Sequence, residues 1–488
     1  MDNVEAPPEV PAPAGEPRDV ALETLSVTVQ GTLTEVRGAV PAYGSTLLTT
    51  ASIALVTLVS GMLSARMLGV GGRGQLAAIL VWPGALVALG ELGIPVAYVY
   101  ESAHSPNSLP ALAQNSLWLC LVQSMVLVAV GIAIFPVALG HMGSEVVRDA
   151  LWFLAAYAPL YLFTRYANSI NQGTRHFRRF NAVRFWTPAS FTILLIIGAV
   201  VGARSVTYVV SAYAVSILIG AAITMPVLIG ILSGPRAAKA KHSGKLAWRT
   251  LRYGLRAHIG NITPVESMQI DLLVVIAIVG ANGGGLYSVA LSAAGLVRLI
   301  GFTIGLVILP QIAGESDHAR RCDAYGLAVR MTLWASALVA AFIGAFAGPL
   351  LQLVYGSAFI GAANLVRVLC VGMIFSSVRQ VTGDCLRGAG RPGIATYAEV
   401  VGWVVGGLSL LLLVSQHGAL GVAVSVSIAY AVTAIVSGIG SMRYGVSLRD
   451  LAVLRRADAV ILWSRIRSVL TRRSGSGSQV DPERGSDE

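Results

Sequence analysis

The sequence predicts an all-α polytopic membrane protein of about 12 transmembrane helices in two six-helix bundles with a central cavity between them. Three observations predict it. Apolar stretches of spanning length recur along nearly the whole chain, one long basic seam interrupts them near the middle, and short glycine-rich motifs repeat on either side of that seam. Of 488 residues 55% are apolar and 12% charged, with a mean hydropathy of +0.71. Water-soluble domains carry about 25% charged residues, so a soluble globule is excluded.

Residues 1–43 are expected to be a cytoplasmic, largely disordered N-terminal segment, because their opening is rich in proline and lacks the basic and apolar regions of a signal peptide. A bilayer core of about 30 Å then needs about 20 apolar residues at a 1.5 Å rise. On that criterion a first bundle over 44–233 holds spans at 44–66, 75–100, 115–140, 150–170, 183–201 and 207–232. A second bundle over 258–442 holds 259–279, 285–312, 326–351, 362–386, 394–414 and 418–441. Between them, 234–257 is a basic cytoplasmic linker carrying Arg236, Lys239, Lys241, Lys245, Arg249, Arg252 and Arg256 with no acidic residue. Residues 443–488 read as a basic interfacial helix and a disordered cytoplasmic tail, since Arg455, Arg456, Asp458, Arg465 and Arg467 break what would be a thirteenth span.

Lys and Arg near span ends resist translocation, and Arg175, Arg178, Arg179, Arg320, Arg321, Arg387 and Arg391 all fall in loops on the seam's side. Both termini are therefore expected in the cytoplasm, with the chain in the inner (plasma) membrane. The net charge of +11 follows from this clustering, and no nucleic-acid partner is implied. Cys120, Cys322, Cys370 and Cys385 are scattered without CxxC spacing, which argues against a zinc site or a disulfide framework. Neither a metal nor a cofactor is expected.

The repeat is parallel. Gly69–Ala77 (GVGGRGQLA) and Gly280–Ser288 (GANGGGLYS) lie at an offset of 211, while Gln172–Arg175 (QGTR) and Arg387–Gly390 (RGAG) lie at 215. Copies of six spans each keep one orientation, and parallel repeats place a cavity between bundles that rock about it. Gly69, Gly71 and Gly74 match GxGxxG by letter, but they join two membrane helices and not a strand and a helix.

Four runs carry a family resemblance: Ala65–Tyr100, the segment NQGTRHFRRFNAVRF from Asn171, MQIDLLVVIAIVGANGGGLYSVA from Met268, and LRGAGRPGIATYAEVVGW from Leu386 with HGALGVAVSVS after it. They resemble the polysaccharide, Wzx-like flippase branch of the multidrug/oligosaccharidyl-lipid/polysaccharide (MOP) exporter superfamily. The resemblance implies a MATE-like fold and the flipping of a polyprenyl-diphosphate-linked oligosaccharide to the outer leaflet for cell-surface polysaccharide biosynthesis. The partners expected are the lipid-linked oligosaccharide and membrane lipid, with a polysaccharide polymerase or glycosyltransferases as further candidates. The sequence lacks the thirteenth and fourteenth spans of the longest relatives.

Charges inside a bilayer cost about 2.5–3.5 kcal/mol each at a span centre, so they face a partner or water. Arg165, Arg298 and Arg379 are candidates to hold the diphosphate, since guanidinium offers forked hydrogen bonds to phosphate oxygens. Their alternative is internal pairing with Glu91, Glu266 or Asp384. Asp271 matches an acidic position in the flippase pattern, and with Glu266 and Glu91 it is a candidate for H⁺ or Na⁺ coupling or for ion pairing. Arg175, Arg178 and Arg179 either gather lipid phosphates or set topology. Two other classes remain: a multidrug cation antiporter of the same superfamily, which resemblance implies would carry an acid in its first span, and a polyprenyl-linked glycan-processing membrane enzyme. Residues 44–65 contain no acid, and the seven histidines form no HExxH cluster.

Overall fold

The computed structural model describes the backbone of residues 18–234, 244–261, 268–447, 449, 451 and 453, with side chains from Thr49 onward except at 106, 256–261 and 310. Among the described residues every regular element is helical. Nine of the described helices are long and apolar enough to cross a membrane. Three of them, Arg18–Gly90, Ile270–Gly314 and Pro392–Met442, break at Gly69, Gly280 and Gly418, so these nine comprise twelve helical segments among the described residues.

Two of those breaks are the same turn. Gly69 has φ 67° and ψ −174°, and Gly280, 211 residues later, has φ 79° and ψ −169°. L side chains are strained in that region, which is why glycine stands at both. The turns also touch. A Cβ added to Gly74 would overlap the carbonyl oxygen of Ala281, and one added to Gly285 would overlap the carbonyl oxygen of Val70. Each contact is the other shifted by the repeat offset, so the two halves meet backbone to backbone about an axis running along the spans. At the same end Arg66 Nε donates to the Val354 carbonyl at 2.9 Å, and its Nη2 donates to that of Leu353. This is the turn end of the molecule; the other is the seam end.

Small residues let the spans approach elsewhere. Gly406 would bring a Cβ to 2.6 Å from that of Ala429, and Gly301 one to 2.6 Å from Ser377 Cα. Such pairs suit lipid, where packing and not hydrophobicity draws helices together. Buried serines return their hydroxyls to their own helix, as Ser377 does to Met373 O at 3.0 Å and Ser437 to Thr433 O at 2.7 Å. Large apolar side chains such as Val137, Leu338 and Leu411 point outward.

The boundaries differ from expectation at five places. Helix begins at Arg18, inside the segment 1–43 expected to be disordered, because Leu22, Leu25, Val29, Leu33, Val36 and Val40 keep a helical period that a hydropathy threshold ignores. The second span does not run through 75–100: it stops at Gly90, Leu92 (φ 50°) and Gly93 (φ 66°) reverse the backbone, and a separate half-helix Ile94–His104 starts with Pro95 in its first turn. Half of the linker 234–257 is helix, Gly244–Asn261, whose Leu246, Thr250 and Gly254 form a buried i, i+4 stripe beneath exposed Lys245, Arg249 and Arg252. The seventh span is helical from Ile270, after Gln269 in a left-handed conformation. The ninth is His318–Ala345, followed by a short helix Ala347–Val354. The interfacial helix expected over 451–470 lies outside the described residues apart from positions 451 and 453.

Candidate functional site

Between the halves lies a cavity of about 580 Å³. The first half lines it with Arg73, Tyr157, Tyr161 and Tyr213, and the second with Asp271, Ser288, Ser292, Arg298 and Tyr430. Its charged lining groups are Arg73, Arg298 and Asp271, so cations outnumber anions at its wall. The interlocked glycine turns lie beyond Arg73 at the turn end.

The two arginines stand at different levels. With a 1.5 Å rise per residue, Arg73 lies about 6 Å beyond the Gly69 turn and Arg298 about 27 Å beyond the Gly280 turn. One diphosphate cannot touch both at once. Arg73 Nη1 donates to Ser64 Oγ at 3.2 Å, and its Nε is buried without a hydrogen-bond partner among the described residues. Sequence reasoning passed over Arg73 because it stands at the edge of a loop; its register beside the Gly69 motif was the available signal.

Asp271 opens the helical part of the seventh span, where backbone N–H groups favour an anion. It is 3% exposed; its Oδ2 accepts from the Tyr287 hydroxyl at 3.1 Å, and its Oδ1 has no hydrogen-bond partner among the described residues. A smaller cavity of about 190 Å³ is walled by Trp403, Gly406, Ser425 and Asp271 itself. Asp271 thus lines both spaces.

The other sequence candidates lie elsewhere. Arg165 Nε donates to Glu91 Oε1 at 2.7 Å, with the arginine side chain 53% exposed. Arg379, 6% exposed, pairs with Glu399 and lies over the Tyr430 ring at 5.4 Å. Neither arginine lines the cavity, so the structure separates the three that the sequence grouped. Asp384 pairs with Arg387 at 2.6 Å, and Glu266 lies outside the described residues. Arg175, in a left-handed turn, is exposed with Arg178 and Arg179 at the seam end.

Comparison with known proteins follows the same lines. The profile of a family described as "Polysaccharide biosynthesis protein" matches residues 42–315. The "Probable low-salt glycan biosynthesis flippase Agl15" of Haloferax volcanii is 22% identical over 202 residues, 40% of this chain and 42% of that protein. The chain thus spans less than half the length of the curated relatives it matches. An inward-facing multidrug resistance MATE family transporter of the MOP superfamily superposes with a TM-score of 0.64 at 17% identity, over 80% of this chain and 94% of that one. The lipid II flippase MurJ, in an inward closed conformation, gives 0.63 at 13% identity, over 87% and 98%. These likenesses establish a MATE-like fold.

Proposed function

Since the chain belongs to the polysaccharide biosynthesis protein family, which covers more than half its length, we propose that it flips a polyprenyl-diphosphate-linked oligosaccharide from the cytoplasmic to the outer leaflet by alternating access. The observation that carries this is a cavity between the two halves with arginines at two levels. In a low-dielectric chamber each arginine is a strong phosphate ligand, and two levels provide successive stations. With the basic seam end in the cytoplasm of the plasma membrane, the diphosphate meets Arg298 first and Arg73 after it has moved inward. The polyprenyl tail stays in lipid throughout, and membrane lipid is the second partner. Opening the turn end means parting Gly74 from Ala281 and Gly285 from Val70. Asp271 couples this motion to H⁺ or Na⁺. A polysaccharide polymerase and glycosyltransferases supply and consume the cargo.

Purified protein in liposomes tests this: outward movement of a polyprenyl-diphosphate sugar without covalent change is expected, and efflux of organic cations instead would make the protein an antiporter. An Asp271→Asn variant should keep flipping while losing its dependence on the ion gradient. Full dependence retained by that variant would remove Asp271 from coupling.

A further inference from the structure

One wall of the cavity is built differently from the rest. Phe153, Tyr157 and Tyr161 follow each other at i, i+4 on the fourth span, Ser144–Gly173, and so form one stripe along its face. Their rings run in sequence, with centroids 5.0 Å apart at 21° for Phe153–Tyr157 and 4.9 Å apart at 29° for Tyr157–Tyr161. Tyr213 of the sixth span extends the row, 5.8 Å from Phe153, and Phe191 holds it edge-on at 5.0 Å and 87°. Three of these rings, Tyr157, Tyr161 and Tyr213, line the cavity.

What sets them apart is that their hydroxyls face open space, whereas those of Tyr98, Tyr325 and Tyr355 are sealed in the interior with no hydrogen-bond partner among the described residues. The hydroxyls of Tyr166, Tyr208 and Tyr287 are each bonded to a protein acceptor. Among the described residues those of Tyr157, Tyr161 and Tyr213 have no such bond, and they are open to the cavity. Neutral donor-acceptors thus project from a fixed aromatic surface. Tyr157 and Tyr161 lie about 20 Å and 26 Å along their span from its turn-end start, and Tyr213 about 10 Å along its own. The row therefore fills the interval between the levels of Arg73 and Arg298. The second half contributes small groups to the same cavity, among them Ser288, Ser292 and Gly295.

We propose that this hydroxyl-tipped aromatic row is a sugar track: it takes the glycan of the carrier lipid while an arginine holds the diphosphate. The inference rests on the flippase reading and adds the part of the substrate that reading leaves unplaced. A pyranose presents C–H faces and hydroxyl edges together, and tyrosine meets both, ring carbon against C–H and phenol against hydroxyl. Having no charge, the row does not compete with the arginines for phosphate. With the diphosphate at Arg298, the glycan extends up the track toward the turn end.

The test uses the purified full-length chain in detergent and two short-chain probes, citronellyl diphosphate and the same diphosphate carrying a trisaccharide of β-linked glucose. Binding is measured by calorimetry. Wild-type protein should bind the glycosylated probe more tightly. The triple variant Tyr157→Phe, Tyr161→Phe, Tyr213→Phe keeps every ring, so it should fold; it should lose about tenfold in affinity for the glycosylated probe and less than about twofold for the bare one. Arg298→Gln should weaken both probes alike. If the triple variant weakens both equally, or neither, the track is wrong while the flippase reading stands. If wild-type protein binds neither probe, the carrier-lipid reading falls and the track with it.

Discussion

The two halves of this chain agree where they touch each other and differ where they face the cavity. At the turn end Gly69 and Gly280 share one backbone conformation, and the contacts of Gly74 and Gly285 are interchangeable by the repeat offset. At nearly equivalent positions on the fourth and tenth spans, by contrast, Arg165 and Arg379 each pair with a carboxylate, one exposed and one buried. The first half walls the cavity with tyrosines, whereas the second brings serines, Asp271 and Arg298. A duplicated scaffold has kept the geometry its own closure requires and has divided the labour of its chamber.

The largest expected effect sharpens that contrast. Arg379→Gln removes the buried cation that Glu399 pairs with and should cost about 3–5 kcal/mol of stability, read as a fall in the detergent melting temperature. A smaller loss than that of Arg165→Gln would mean that the two pairs do not differ as their burial says. Next come Gly74→Val and Gly285→Val. Each pushes a side chain into the opposing backbone, and each should lower flipping by at least about a hundredfold, near 2.7 kcal/mol. Equal losses support the equivalence of the two contacts; a loss at one alone breaks it. Arg298→Gln and Arg73→Gln should each cost about 1.5–3 kcal/mol in flipping, the worth of hydrogen bonds to a charged group. Unchanged flipping in the double variant would discard both stations. Arg165→Gln should cost the least stability, less than Arg379→Gln, because the Arg165 side chain is 53% exposed against 6% for Arg379.

Much of the fold was legible. Twelve helical segments, the seam and the offset of 211 follow from hydropathy and from glycine motifs, which report local requirements: apolar length for lipid, and no side chain at the Gly69 and Gly280 turns. The break at Glu91–Gly93 was less accessible, because Gly90, Gly93 and Pro95 resemble ordinary loosening until Leu92 and Gly93 are seen to reverse. The cavity was harder still. Whether an arginine meets Glu91, Glu399 or the cavity wall depends on residues about 20 to 74 positions away, and periodicity carries no information at that range. Asp271 stood out as an acid in an apolar helix, whereas Arg73 was masked by its place beside a loop.

The interlock of Gly74 on Ala281 and Gly285 on Val70 has one more consequence. It is isologous: the same patch serves on both sides. A single six-helix unit placed beside its own copy would find this seat already cut to fit. Joining two such units in one chain takes a linking piece, and the helix Gly244–Asn261, resting Gly254 against Leu92 and Gly93, lies on the path from one half to the next.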